Sequence, residues 1–365
     1  MRRNDERRFV SSPGVVKPPS TLEMPMTAEE RSTPSKRERG PNRAAIEWLL
    51  GEDQPAVRYR TLTELLGRTE SDRDVRVVKK QLIQKGWAAD ILARSIPGAG
   101  WRDGTTQYRP KYLSTNWMML VLSDLGLSRA EPRIAELCEF WMRGFATKDG
   151  GLGGSSQGTP HYCVAANQAR ALIRFGYSDD SRVRRTIEWL AETAHPKGGW
   201  SCFGSGRNLD SWEAMSVFAI YPREKWTDEM RGAVERGAEF FLQRELHKQG
   251  ERYAPWYRFH YPVHYYYDLL VGLDFMTALG YGEDPRIDYA RRFLRSRRRR
   301  DGAWNLDAVH PDIAGPVASW YARHPGQRPT PFALEVPGQP SKMITLTALK
   351  VLAATDSTSH PVAVT

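Results

Sequence analysis

Three periodic features predict an all-α chain folded as an α/α toroid, a single repeat-built domain of about six inner and six outer helices. The first is a loop mark of a small residue followed by a large apolar one, at Gly100-Trp101, Gly151-Leu152, Gly199-Trp200 and Ala303-Trp304. Its steps are 51, 48 and 104 residues, so a degenerate copy is expected between the last two, at Pro255-Trp256. A period near 50 residues is the length of a helical hairpin with its loops. The second is a stop mark running in phase with the first: Leu125-Gly126, Phe175-Gly176-Tyr177 and Leu279-Gly280-Tyr281. The third is an alternation of two kinds of helix, one amphipathic and one apolar nearly all round.

Each element follows from these marks. A stop glycine suits the left-handed residue that ends a helix. Asp179, Asp180 and Asp284 with Pro285 then open the next helix, because a carboxylate accepts the unpaired N–H groups of a first turn. Segments Asp180–Thr193 and Asp284–Arg300 set apolar residues at helical spacing among Arg and Glu, which predicts outer helices with one wet face. Ala56–Leu66, Tyr112–Leu125, His161–Phe175, Asp210–Ile220, Val263–Leu279 and Ser341–Leu352 carry less charge and predict six inner helices, buried on most sides. Ala44–Leu50 is expected to complete the sixth pair by meeting the C-terminal helix, so that the ring closes.

The chain has 365 residues, 40% hydrophobic and 26% charged, a composition that supports a large core. Residues 1–40 are rich in Pro, Ser, Arg and Glu, which predicts a disordered tail; the toroid is expected over 41–355, and a flexible tail over 356–365. Three cysteines, Cys138, Cys163 and Cys202, argue against a disulfide framework. With no apolar stretch long enough for a signal or a span, the expected location is the cytoplasm. Net charge is +10, much of it in the run Arg291–Arg300. That run reads either as a solvated helix end or as a surface for an anionic partner; no nucleic-acid motif accompanies it. Oligomeric state is not legible.

The Gly-Gly-aromatic loop, buried helix, Leu-Gly-Tyr stop and Asp-started outer helix together resemble the repeat family of prenyltransferases and squalene cyclases, over roughly residues 41–355. Gly150-Gly151-Leu152, Gly198-Gly199-Trp200 and Asp301-Gly302-Ala303-Trp304 carry the likeness. The resemblance implies a central cavity for a small hydrophobic, isoprenoid-type substrate. Class II cyclases of that family use an Asp-x-Asp-Asp acid, which is absent here; Asp307 and Asp312, around His310-Pro311, come nearest. Family prenyltransferases bind zinc through Asp-x-Cys after one glycine loop and His after the next. Here the corresponding places hold His161-Tyr162-Cys163 and Asn208-Leu209-Asp210, so the ligand types are present but permuted.

In a toroid the cavity mouth is lined by loops and first turns of the inner helices. That places Tyr108, Tyr112, Asn116, Asn167, Trp212, Tyr257, His260, Tyr261, Tyr265 and Lys342 as candidate substrate-binding residues. His264 and Asp268, four apart, are expected on one helix face, where the carboxylate would orient the imidazole. With Asp210 they are the candidate catalytic groups. His161, Cys163, Cys202 and Asp210 are the candidate zinc ligands; a free cysteine is equally a small buried hydrophobe, the reading given to Cys138. The six tyrosines between Tyr253 and Tyr267 suit an aromatic wall, repeat packing, or both. Gly150–Gly158 lacks the Lys-Ser/Thr of a phosphate loop and reads as a repeat turn. Three functions remain open. An isoprenoid enzyme would show an apolar cavity with polar groups at one end. A carbohydrate lyase or hydrolase would show a long open cleft. A non-catalytic scaffold would show no convergence of polar groups.

Overall fold

The structure, a computed structural model, describes residues 36–101, 106–109, 111–154, 160–202, 212–247, 254–264, 267–309 and 334–356. Contacts divide the chain into two units, Met1–Arg39 and Gly40–Thr365. In the second unit the helices run α1 (Lys36–Leu49, which begins before the division), α2 (Pro55–Arg60, prolonged by a π-helical turn to Leu65), α3 (Arg73–Gln81) and α4 (Gly86–Leu92). They continue with α5 (Thr115–Asp124), α6 (Pro132–Phe145), α7 (Tyr162–Phe175), α8 (Ser181–Glu192) and α9 (Trp212–Phe218). The last four are α10 (Asp228–Leu242), α11 (Leu269–Ala278), α12 (Asp288–Ser296) and α13 (Lys342–Asp356). Two-residue strands β1 (Trp304–Asn305) and β2 (Pro340–Ser341) pair antiparallel.

The two kinds of helix are as expected. Every residue of α5 is buried. In α8 only Val183, Thr186, Ile187, Leu190 and Ala191 are, at the spacing of one helical stripe. The side chains of Asp180 and Asp284 accept the N–H of Arg182 and Arg286, both at 2.9 Å. Those arginines in turn reach Glu139 and Glu239 on the preceding outer helices, so consecutive outer helices are tied in the same register. Gly176 ends α7 at φ 95°, where a side chain would be strained.

The loop mark has a physical meaning. Trp101, Trp200 and Trp304 each donate their indole N–H to the carbonyl ten residues earlier, on Ile91, Leu190 and Leu294, at 3.2, 2.7 and 2.8 Å. Those carbonyls belong to the last turns of α4, α8 and α12, where the regular donor four residues on is missing; Ile91 and Leu294 also accept a long turn bond, from Arg94 and Arg297 at 3.2 and 3.3 Å. One side chain thus satisfies the end of the outer helix and fills the space under the inner one.

The inner elements α2, α5, α7, α9, α11 and α13 follow one another round a ring, and the ring closes. Arg60 on α2 donates to the Asp124 carbonyl ending α5, at 3.0 Å. On the other side, Lys350 of α13 pairs with Glu64 after α2, at 2.7 Å. Lys342 donates to the Trp48 carbonyl ending α1 and to Asp53, at 3.2 and 2.7 Å. The C-terminal helix therefore meets α1 and α2, the closure that the sequence suggests.

Two inner helices start later than expected. α5 begins at Thr115, because Tyr112 takes φ 63° and breaks the run. α11 begins at Leu269 rather than Val263, because the Asp268 side chain caps it by accepting from Val271 N at 2.9 Å.

Candidate functional site

Between the short 3-10 turn Ala254–Tyr257 and the start of α11, the chain crosses the middle of the ring. Phe259 exchanges hydrogen bonds with Asp307 next to β1. The Val263 carbonyl accepts from Arg170 of α7 at 3.3 Å, and the His264 carbonyl accepts from the Tyr112 hydroxyl at 3.2 Å. Because α5 and α11 stand three places apart in a ring of six, a segment joining them is a strap across its centre. Phe259, His260, Tyr261, His264 and Tyr267 are buried along it, and His260 and Asp268 form its polar core. His260 Nδ1 lies 2.6 Å from Asp268 Oδ2, with the two side chains 0% and 1% exposed. The same oxygen accepts the His260 backbone N–H at 3.0 Å.

The carboxylate thus accepts from an imidazole and two backbone N–H groups. Three donors match the acceptor lone pairs of a carboxylate. They hold the His260 proton on Nδ1 and make Nε2 the atom that can take a proton and return it. This corrects the expected pairing: Asp268 serves His260, not His264. The helical spacing of 264 and 268 does not apply, because the helix starts after both.

His264 lies fully buried, with neither ring nitrogen hydrogen-bonded among the described residues. Burial, opposed by Asp124 and reinforced by Arg170, pushes it down to about 3, so it is neutral. Its ring stands edge-on to Trp117, which also packs on Tyr112 and Tyr108. Tyr108 and Tyr112 therefore support the strap.

The strap and the six inner elements line a half-open cavity of about 70 Å³. At roughly 10–15 Å³ of such space per water, that is room for several waters or for one end of a substrate. Its lining divides by element. α2, α5 and α7 supply charge through Arg60, Asp124, Arg170 and Arg174. α9, α11 and α13 supply mostly apolar side chains, among them Trp212, Leu270, Phe275, Met343 and Ile344, with Asp268 and Asp274 as the exceptions. His260 and Tyr261 enter from the strap. Burial alone would raise the Asp124 carboxyl; Arg174, its ion-pair partner, outweighs that with Arg170 and holds it below the usual carboxylate range.

Several expected residues do other work. Asn116 accepts from Trp141 and Gln168 at 3.2 and 3.0 Å, joining α5 to α6 and α7. Asn167 is buried on α7, with its amide unmatched among the described residues. Tyr257 lies away from the cavity, 2.7 Å from His247 Nε2 and packed on Phe293. Lys342 is directed outward, to the seam with α1, because Asp53 and the Trp48 carbonyl are its acceptors. His161 is exposed just before α7, while Cys163 donates its backbone N–H to Cys202 Sγ at 3.2 Å. Among the described residues no group of three His, Cys, Asp or Glu could hold a metal ion. Asp210 and Tyr265 lie outside the described residues, as do Asn208, Leu209, His310, Asp312 and residues 155–158 of the glycine-rich turn.

The basic run is largely spent locally. Arg291 pairs with Asp288, Arg297 with Asp307 and Arg299 with Asp301, and Arg298 lies over the Trp304 ring. Among the described residues no helix is long and apolar enough to cross a membrane.

Sequence reasoning looked for site residues at helix starts and so missed Arg60, Asp124, Arg170, Arg174 and Asp274. The signal was present: these are charges inside segments that otherwise read as buried.

No protein-family model and no curated protein matches the sequence. Among solved structures, the chain is similar to the type II terpene cyclase MstE from Scytonema in its apo form, at 16% identity and TM-score 0.44, over 88% of this chain and 99% of that one. A variant of the same enzyme in complex with geranylgeranyl dihydroxybenzoate aligns at 16% identity and TM-score 0.43, over 88% and 97%. At these values the chemistry of this chain has to be read from its own residues.

Proposed function

We propose that the chain is an enzyme working by proton transfer at His260, on a substrate that lays an apolar portion against the wall formed by α9, α11 and α13. The observation that carries this reading is the buried 2.6 Å contact between His260 and Asp268 at a cavity reached by all six inner elements. A buried carboxylate that orients an imidazole is costly to assemble and is characteristic of acid–base work. Polar convergence speaks against a mere scaffold. A cavity of this small size speaks against a polymer in a long cleft. An apolar wall facing a charged one fits an isoprenoid-type or similarly amphiphilic substrate. Only its reacting end fits the cavity, so the remainder would lie toward the mouth.

The test is to incubate a metabolite extract with the purified chain and follow it by untargeted mass spectrometry. A species consumed by the wild type should persist with His260→Gln and with Asp268→Asn, a change that keeps the helix cap. Identical profiles for all three proteins would remove the catalytic reading. A zinc site would draw on His161, Cys163, Cys202 and Asp210. Metal content of the purified chain reads it, with Cys163→Ala as control, and bound metal lost in that variant would bring metal-assisted chemistry forward.

A further inference from the structure

Three guanidinium groups line the central cavity, and two of them are matched. Arg60 holds Glu64 at 2.6 and 3.0 Å and the Asp124 carbonyl. Arg174 pairs with Asp124. Arg170, one turn before Arg174 on α7, is only 7% exposed and has no carboxylate within ion-pair distance among the described residues. Its one hydrogen bond among the described residues is the long contact to the Val263 carbonyl, and its guanidinium sits over the Trp212 ring, 5.5 Å from the centroid. A guanidinium carries five N–H donors, and a buried cation with one weak acceptor is costly. Two further donors in the same lining, Trp212 Nε1 and the Tyr261 hydroxyl, are buried with no acceptor among the described residues.

We propose that Arg170, with Trp212 and Tyr261, is a binding site for a carboxylate carried by the substrate. An unpaired guanidinium and two donors with no acceptor among the described residues line one cavity and call for an oxyanion, and a planar carboxylate matches the guanidinium fork with two parallel bonds. The charge of the lining sets the number of negative charges. With Arg60 held by Glu64 and Arg174 by Asp124, Arg170 is the lining cation with no ion-pair partner among the described residues. A singly charged group meets the one unmatched cation, whereas a diphosphate would bring further charge against three carboxylates. This deepens the reading of the cavity as a substrate site: Arg170 would hold the carboxylate while His260 faces the reacting atoms. The binding claim does not need turnover to be tested.

The experiment pairs propanoate and benzoate with their amides, read by thermal shift and calorimetry on the whole chain. Saturable stabilisation by a carboxylate and not by its amide is expected, retained in His260→Gln and weakened at least about tenfold in Arg170→Gln. Retention in His260→Gln separates this claim from the catalytic one. An equal response to acid and amide, no response to either acid at its solubility limit, or an unchanged response in Arg170→Gln would each overturn it. A second measurement guards against a purely structural role. Without ligand, Arg170→Met should leave the melting temperature unchanged or higher, because it removes an unmatched buried charge. Arg174→Met, which strands Asp124, should lower it. Equal losses in the two variants would assign Arg170 to the scaffold and sink the proposal.

Discussion

Asp268 joins two jobs in one carboxylate: it caps α11 through Val271 N and orients His260 through the other oxygen. The helix start thereby fixes the imidazole, and substrate meets a group that needs no reordering. His264 shows the opposite economy, since its ring nitrogens are buried with no hydrogen-bond partner among the described residues and it is kept neutral. Its value in the fold, about 3, lies below the 6.5 of an exposed histidine, so the unfolded chain binds the extra proton more readily. The stability that neutral His264 lends is therefore complete above pH 6.5 and is lost as pH falls toward 3. Between pH 7 and 4.5 the loss should be roughly 2–3 kcal/mol. Urea midpoints should show a shallower decline in His264→Gln over that range; parallel declines would mean that His264 is protonated in the folded state or reached by water. The sequence made His264 and Asp268 conspicuous but gave Asp268 the wrong partner. Spacing predicts partners only inside regular structure, and nothing in the sequence marks where the strap ends and α11 begins except the carboxylate itself.

Among elements, the repeat was legible because each mark answers a backbone need. A stop glycine takes positive φ, an Asp takes the open N–H groups, and a Trp takes a carbonyl of the last helical turn. The strap was not legible, since the side chains that anchor its carbonyls lie far along the chain, Arg170 for Val263 and Tyr112 for His264, 93 and 152 positions away. The glycines also differ in what they tolerate. At Gly198, φ is 83° and an added Cβ would stand 2.1 Å from the Arg236 carbonyl oxygen on α10. At Gly280, φ is 95° and nothing lies within 4 Å. Gly280→Ala should cost about 1–2 kcal/mol of backbone strain alone. Gly198→Ala adds a backbone clash and should cost about 1–3 kcal/mol more. Equal urea midpoints for the two variants would show that α8 and α10 part freely at this loop.

At the scale of the whole molecule, closure is the property that separates this chain from an open stack of helical hairpins. In an open stack each repeat touches only its neighbours, and removing the last one subtracts a single increment of stability. Here α13 contacts the preceding repeat and also the first, through Lys342 to Trp48 and Asp53 and through Lys350 to Glu64. It also supplies Met343 and Ile344 to the cavity wall. Removing it exposes the apolar sides of α2 and α11 together and opens the site to water. The closing ion pairs are partly exposed and contribute little individually, so the loss should come from buried apolar area. A chain ending at residue 338 should therefore lose its cooperative thermal transition, not merely melt a few degrees lower. Calorimetry distinguishes the cases: a sharp peak modestly shifted would mean that the remaining repeats stand as an open stack and that closure serves the site alone. A broad transition with little heat would mean that ring and cavity fold as one unit, with the strap held in place only while the ring is complete.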